Sequence, residues 1–263
     1  MAGDHSLLKV AIGQIPIAMG DKRSNIAAVT SAILAAARER CDVIVLPECC
    51  LAGWLSPSAR AFAEPIPGPF TRRLSALAGK HRLAIVVGME EKDARGRIYN
   101  TAVLLDQHGT FLMHRKINEL EIARATYSRG SSLNVVDLCG QPVGVNICAD
   151  SWRPEITDAL YLMGARIIFS PSAWAVEPGG EATNLTWITE TYRQRVSNKE
   201  LFIVAANGVG AVTEGPWRGR NLQGNSLAIA PDGTVLLCGP ANEAAVLFVE
   251  IPLPKSSAPS GSS

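Results

Sequence analysis

The chain has 263 residues, of which 47% are hydrophobic and 19% are charged. This composition is typical of a globular protein and excludes disorder over most of the length. With 25 lysine and arginine residues against 24 aspartate and glutamate residues the net charge is +1, so the chain lacks the positive field that attracts proteins to a nucleic-acid backbone. We therefore expect no nucleic-acid partner.

Membrane and export signals are also missing from the sequence. No apolar stretch reaches the roughly 18–20 residues that a membrane span needs, and the N-terminal segment MAGDHSLLKV lacks the basic-then-apolar order of a secretion signal. We therefore expect no membrane association and a cytoplasmic location. The six cysteines form no CxxC pair, so neither a disulfide framework nor a zinc site is predicted.

Short β-branched apolar runs, bounded by Gly, Pro, Asp or Asn, recur along the chain and predict buried strands. They begin at Leu8, Asp42, Leu83, Thr101, Val143, Ala165 and Leu201. Helical periodicity lies between them, in residues 26–37, 69–81, 154–164 and 184–200, with Asp21 or Ser24 placed to cap the first helix. The alternation of strands and helices predicts a layered α/β fold.

Two segments indicate antiparallel hairpins, with turns at residues 107–109 and 231–233, and a further strand follows the second hairpin. Hairpins mixed with βα units favour sheets that contain antiparallel pairs, unlike a doubly wound nucleotide-binding domain. No change in composition separates two halves. We therefore predict one domain over residues 1–255, followed by a disordered tail at residues 256–263.

Three polar residues lie at the ends of predicted strands, where loops can present side chains to a pocket. Glu48 ends an apolar strand, and desolvation there would raise its pKa towards that of a general base. Lys116 ends the strand that follows the first hairpin turn. Cys148 lies between a strand and a helix, where backbone N–H groups could hold an oxyanion. Considered singly, each residue type is more often structural or solvated.

A cysteine nucleophile needs a group that takes its proton, and the usual partner is histidine. All four histidines lie at or before residue 114. His114 shares a strand face with Lys116, so a Cys–His hydrolase stays open as an alternative. The sequence contains no GxSxG, P-loop or HExxH motif, so it gives no support to a serine hydrolase, an NTPase or a zinc protease. We expect no metal and no cofactor.

Three motifs, in their order along the chain, resemble those of one family. LPE at residues 46–48, HRK at residues 114–116 and NICADSWRPE at residues 146–155 are similar to the motifs of the nitrilase superfamily, the carbon–nitrogen hydrolases, whose members have a Glu–Lys–Cys triad. The resemblance covers roughly residues 8–251 and places the chain with the amidase-like members.

The resemblance implies a role for each residue of the triad. Glu48 would act as the general base, first on the thiol and later on water, and Cys148 would attack the substrate carbon to form a thioester-like acyl-enzyme. Lys116 and the backbone N–H of Ala149 would stabilise the oxyanion. The implied fold is a four-layer αββα sandwich that pairs with a second copy, as a homodimer or a larger homo-oligomer.

The chain departs from the family in two places. Many members carry a second glutamate downstream of the lysine, where this chain has Ala123. We expect Glu119 or Glu121 to approach the site instead, with Glu119 favoured because it is nearer to the lysine in the loop. This chain has Ser151 and Trp152 where an adjacent arginine pair would resemble the carboxylate clamp of carbamoyl-amino-acid hydrolases. Nothing in the sequence therefore requires the substrate to carry a carboxylate.

The sequence therefore predicts hydrolysis of a small linear amide or N-carbamoyl compound by water, with release of ammonia. Amides rank above nitriles because most branches of the superfamily are amidases. Two alternatives stay open: nitrile hydrolysis by the same triad, and a non-catalytic binding subunit that keeps the fold, although the intact triad argues against the second. Trp54, Trp152 and Trp174 are predicted to line the substrate pocket.

Overall fold

The computed structural model describes residues 7–252. The predicted domain limits at residues 1 and 255, and the predicted tail at residues 256–263, lie outside this range. No helix in the described part of the chain is long and apolar enough to cross a membrane.

Strands and helices alternate along the described residues. The strands are β1 (Leu7–Gln14), β2 (Val43–Val45), β3 (Ala84–Lys92), β4 (Ile98–Asp106), β5 (Gly109–Arg115), β6 (Val135–Leu138), β7 (Gln141–Val145), β8 (Ile167–Ser172), β9 (Ala175–Val176), β10 (Phe202–Asn207), β11 (Val209–Ala211), β12 (Asn221–Gln223), β13 (Leu227–Ile229), β14 (Val235–Cys238) and β15 (Ala245–Pro252). The α-helices are α1 (Lys22–Arg38), α2 (Ala59–Phe62), α3 (Pro69–His81), α4 (Pro154–Leu162) and α5 (Glu181–Val196). Short 3-10 helices cover Glu121–Ala123 and Cys148–Trp152.

Two six-stranded sheets have the same plan. Their strand orders are β15-β1-β2-β3-β4-β5 and β14-β13-β10-β8-β7-β6. In each sheet three central parallel strands are flanked by antiparallel ones. Both predicted hairpins are present, as β4 with β5 and β13 with β14. The prediction of mixed sheets is therefore confirmed.

The two sheets pack face to face through contacts of β1 with β10 and of β3 with β8. Helices α1 and α3 cover the outer face of the first sheet, and α4 and α5 pack on the second. Apolar side chains from both sheets form one continuous buried cluster between the layers, and its burial is the main favourable contribution to folding. The αββα sandwich that the family resemblance implied is confirmed.

Local chemistry explains where helix α1 begins and where helix α5 ends. Asp21 is the cap of α1, because its Oδ1 accepts a hydrogen bond from the N–H of Ser24 at 3.0 Å. Helix α5 ends at Val196, four residues before the predicted end. Ser197 has an extended backbone and Asn198 a left-handed one with φ +59°, a conformation that asparagine tolerates better than most residues. The predicted continuation to residue 200 is therefore wrong.

The two sheets are joined at the end where their central strands finish. The loop after β2 donates a hydrogen bond from the N–H of Glu48 to the carbonyl of Ser172, the last residue of β8, at 3.3 Å. Lys116 follows β5 at this end of the first sheet, and Cys148 follows β7 at this end of the second. The fold thus brings three residues that are far apart in the chain to one edge of the sandwich.

Candidate active site

The carboxylate of Glu48 is held by two neighbours from the first sheet. Its Oε1 accepts hydrogen bonds from Lys116 Nζ at 2.6 Å and from Asn100 Nδ2 at 2.5 Å. The backbone N–H of Lys116 donates to the carbonyl of Asn100 at 2.9 Å, so β4 and β5 place both partners. Within residues 7–252 the second oxygen of Glu48, Oε2, has no hydrogen-bond partner. One oxygen is therefore fixed and the other is free to bind a proton.

Lys116 is 1% exposed. Burial alone would lower the pKa of its ammonium group, but the surrounding groups, Glu48 first among them, outweigh burial and raise the pKa above its ordinary value. The side chain is therefore a permanent positive charge. It lies 5.7 Å from the centre of the Trp54 ring, within the range of a cation–π interaction.

Cys148 opens a 3-10 helix at the end of β7 and is 7% exposed. Its φ of +47° lies in the left-handed region, which is sparsely populated for residues other than glycine and clusters at functional sites. Burial raises the pKa of the thiol, and the charge of Glu48 raises it further, whereas Lys116 lowers it. The resting thiol is therefore neutral and needs a base before it can attack.

Of the two predicted downstream glutamates, only Glu119 lies by the ion pair. It is 1% exposed, whereas Glu121 is exposed on the surface. Burial raises the pKa of Glu119 to about 8, against the opposing effect of Lys116. Neither of its carboxylate oxygens has a hydrogen-bond partner in the part of the chain that the structure describes. At neutral pH this side chain is mostly an uncharged carboxylic acid.

Asp150 links the lysine loop to the cysteine turn. Its Oδ1 accepts hydrogen bonds from the N–H groups of Ile117 and Asn118, at 3.1 and 2.7 Å. Its Oδ2 accepts from the N–H of Ile147 at 3.0 Å and pairs with His114 Nε2 at 2.7 Å. The imidazole of His114 is buried against this carboxylate and does not line the cavity at the cysteine. The geometry therefore makes His114 a partner of Asp150 and gives a Cys–His pair no support.

The triad opens into a cavity of about 190 Å³ whose walls are mostly apolar. The chain contains five tryptophans, and all five line this cavity. Three of them were predicted from the sequence. Trp187 on α5 and Trp217 between β11 and β12 were missed, because no local pattern marks either position. The complete lining is Glu48, Trp54, Lys116, Leu120, Cys148, Ala149, Trp152, Ala173, Trp174, Ala175, Asn184, Trp187 and Trp217.

The tryptophans form two groups. Trp152, Trp174 and Trp187 contact one another, with ring centres 5.3 to 5.9 Å apart. Trp54 and Trp217 meet edge to face with centres 4.5 Å apart. Among the described residues no three His, Cys, Asp or Glu side chains are grouped so that they could hold a metal ion.

Comparison with known proteins identifies the family. The profile of the carbon–nitrogen hydrolase family matches residues 9–258. The chain is 30% identical over 230 residues to the (R)-stereoselective amidase of a Pseudomonas species, an alignment that covers 87% of this chain and 80% of that protein. It is 26% identical over 260 residues to the omega-amidase of Danio rerio, covering 94% of this chain and 89% of that protein.

Solved structures share the fold. The carbon–nitrogen hydrolase of Helicobacter pylori superposes with a TM-score of 0.86 at 20% identity, covering 94% of this chain and 90% of that one. An amidase of the nitrilase superfamily from Nesterenkonia superposes with a TM-score of 0.81 at 20% identity, covering 93% of this chain and 90% of that one. A mutant of the same amidase carries acrylamide at its active site cysteine.

The chain therefore belongs to the carbon–nitrogen hydrolase family, within the nitrilase superfamily. It is a carbon–nitrogen hydrolase of the amidase type, an enzyme class that uses a cysteine nucleophile and releases ammonia. The family that the three sequence motifs indicated is confirmed.

Removal of the Asp150 carboxylate tests its structural role. We expect Asp150→Ala to lower the free energy of unfolding by about 3 kcal/mol, because three backbone N–H groups and the buried His114 ring lose their acceptor. Urea denaturation measures the change. Asp137→Ala is the matched control, since Asp137 is exposed and its side chain accepts one turn hydrogen bond from Gly140. An equal decrease in the free energy of unfolding in both variants would show that the Asp150 carboxylate stabilises the fold no more than an exposed turn carboxylate does.

Proposed function

We propose that the chain hydrolyses a small linear amide or N-carbamoyl compound through an acyl-enzyme on Cys148, with Glu48 as general base and Lys116 as a fixed positive charge. The observation that carries this proposal is the convergence of all three side chains, from two different sheets, on one cavity. Two of the three, Glu48 and Lys116, are in direct contact, with Oε1 and Nζ 2.6 Å apart.

The proton of the thiol goes to Glu48. Because Lys116 and Asn100 occupy Oε1, the unpartnered Oε2 is the atom that accepts the proton. The cysteine sulfur then forms a bond to the substrate carbonyl carbon, and the electrons of the C=O double bond move to the oxygen. Carboxylate and thiol are both buried, so little water competes for this proton.

The oxyanion that forms is stabilised by the Lys116 ammonium and the N–H of Ala149. Both residues line the cavity beside Cys148. Groups of this kind, already oriented in a site that excludes water, provide much of the rate enhancement in acyl transfer. The raised pKa of Lys116 supports this role, because a permanently charged lysine stabilises negative charge and does not act as a base.

Collapse of the tetrahedral intermediate breaks the C–N bond. Protonated Glu48 returns its proton to the leaving nitrogen, and ammonia departs. Glu48 then removes a proton from water, whose oxygen attacks the thioester carbon. The C–S bond breaks, the thiolate of Cys148 takes the proton back from Glu48, and the acid product leaves. A mutant of the Nesterenkonia amidase, in which acrylamide has undergone Michael addition at the active site cysteine, supports a nucleophilic cysteine in this fold.

Glu119 contributes as a neutral acid beside the ion pair. Because it is uncharged at neutral pH, it adds no further negative charge beside the Glu48–Lys116 pair. Glu121 is exposed and has no part in this arrangement.

We further propose that the enzyme acts in the cytoplasm as a homodimer. All six cysteines are free thiols, as expected in a reducing compartment. Apolar side chains at the end of α4 are exposed, with Leu162 84% and Met163 50% accessible, and a second copy would bury them together with the adjoining surface of α5.

Intact-protein mass spectrometry tests the nucleophile. After incubation with a panel of amides, ureido acids and nitriles and an acid quench, we expect the wild-type chain to gain the mass of an acyl group. Cys148→Ala should gain none and release no ammonia, because the attacking sulfur is absent. Cys238→Ala is the control, since Cys238 is an exposed thiol outside the cavity.

The same experiment separates the alternatives. Full ammonia release by Cys148→Ala would contradict the proposed mechanism. An adduct from nitriles alone would assign nitrile hydrolysis to the triad. No adduct and no ammonia from any compound would favour a binding subunit that keeps the fold without turnover.

The pH profile tests Glu119. As the pH rises through about 8 its carboxyl group ionises, and a second negative charge beside Glu48 makes both the thiolate and the oxyanion less favourable. We expect kcat/KM to fall about tenfold as the pH rises through this range. Glu119→Gln should remove the fall, because glutamine does not titrate. Glu121→Gln is the control, because Glu121 is exposed in the same loop, and this variant should keep the fall in kcat/KM. A profile that Glu119→Gln leaves unaltered would exclude this role.

A further inference from the structure

The tryptophan lining of the cavity bears on which amide the enzyme accepts, an inference that rests on the proposed function. The cavity collects all the tryptophans of the chain from five different segments. Trp54 and Trp174 are buried at 8% and 6% exposure, whereas Trp152 and Trp187 are 37% and 44% exposed. The cavity therefore has aromatic walls inside and an aromatic rim at the surface.

The size of the cavity limits the acyl group. A volume of about 190 Å³ is somewhat larger than the roughly 150 Å³ apolar cavity that accommodates benzene in an engineered protein. One six-membered ring with a carboxamide attached therefore fits inside it. Contact of such a ring with tryptophan faces and edges adds to the energy of burying its apolar surface.

The charge of the cavity disfavours a substrate carboxylate. Of the described residues that line it, Lys116 alone carries a positive charge, and that charge is paired with Glu48 at 2.6 Å. A carboxylate in the same space would face Glu48 without a cation of its own, and desolvation of an unpaired charge is costly. Asn184, the remaining polar lining residue, is neutral.

The arrangement of the rings also disfavours a cationic substrate. An aromatic cage for a cation presents ring faces around an open space. Here Trp152, Trp174 and Trp187 pack on one another, with Trp187 edge to face against the other two at 5.3 and 5.4 Å. Trp54 already interacts with the Lys116 ammonium. The tryptophans therefore form an apolar wall and not a cage.

We propose that, among linear amides, whose C–N bond lies outside any ring, the tryptophan-lined cavity selects those whose acyl group is uncharged and carries a single apolar ring, aromatic or alicyclic. In this assignment Trp152, Trp174 and Trp187 are the specificity-determining residues. The triad performs the same chemistry on other amides, but it does so more slowly because their acyl groups leave the aromatic wall uncovered.

A panel of four primary amides tests the proposal through kcat/KM for ammonia release. Phenylacetamide carries a neutral ring, propionamide lacks the ring, succinamate carries a carboxylate and betaine amide carries a quaternary ammonium. We expect phenylacetamide to exceed each of the other three by about tenfold or more. A preference for succinamate or betaine amide would overturn the proposal, as would equal values for phenylacetamide and propionamide.

Variants locate the selectivity. Trp187→Leu changes a half-exposed residue, so the fold should persist, and Trp174→Leu provides a second variant deeper in the wall. In each we expect the ratio of kcat/KM for phenylacetamide to that for propionamide to fall about tenfold, since the side chain stays apolar but the ring contact is lost. Phe248→Leu is the control, because Phe248 is an exposed aromatic residue on β15 outside the cavity.

A ratio unchanged in both tryptophan variants would show that the wall does not select the substrate. Absence of ammonia from all four amides in the wild-type chain would instead contradict the proposed function, so the two failures are distinguishable.

Discussion

The buried contact between Lys116 and Glu48 is the interaction on which the site depends. Both side chains are 1% exposed, and removing two charges from water is costly unless each finds a close partner. Their separation of 2.6 Å and the added hydrogen bond from Asn100 meet that condition. The pair keeps the lysine charged and leaves one carboxylate oxygen free for proton transfer. A base and an electrostatic stabiliser thus arise from a single ion pair.

The architecture places the nucleophile against this pair from the other side. Glu48 and Lys116 belong to the first sheet and Cys148 to the second, so the distance between them is set by how the sheets stack. Asp150 strengthens that arrangement, because its carboxylate holds the backbone of both the lysine loop and the cysteine turn. The buried His114 completes the link. The scarcity of histidine in the chain agrees with a thiol activated by a carboxylate.

Much of this structure follows from the sequence, and the exceptions have a physical cause. Apolar runs, hairpin turns and three strand-end motifs were sufficient for the layered fold and the family, since these signals are local. These signals were not sufficient to choose between Glu119 and Glu121, because both lie in one loop and only packing buries one of them. Trp187 and Trp217 reach the cavity from distant segments, and His114 pairs with Asp150 across the sheet interface. Such contacts depend on tertiary packing, which local patterns do not encode.

The most direct test of the account is the burst of ammonia on rapid mixing of the enzyme with a good amide substrate. Acylation releases ammonia before water enters, so the burst rate reports proton removal by Glu48 and oxyanion stabilisation by Lys116. We predict that Glu48→Gln and Lys116→Met each lower the burst rate by about a thousandfold while the circular dichroism spectrum stays native. A burst within tenfold of wild type in folded Glu48→Gln would contradict this prediction.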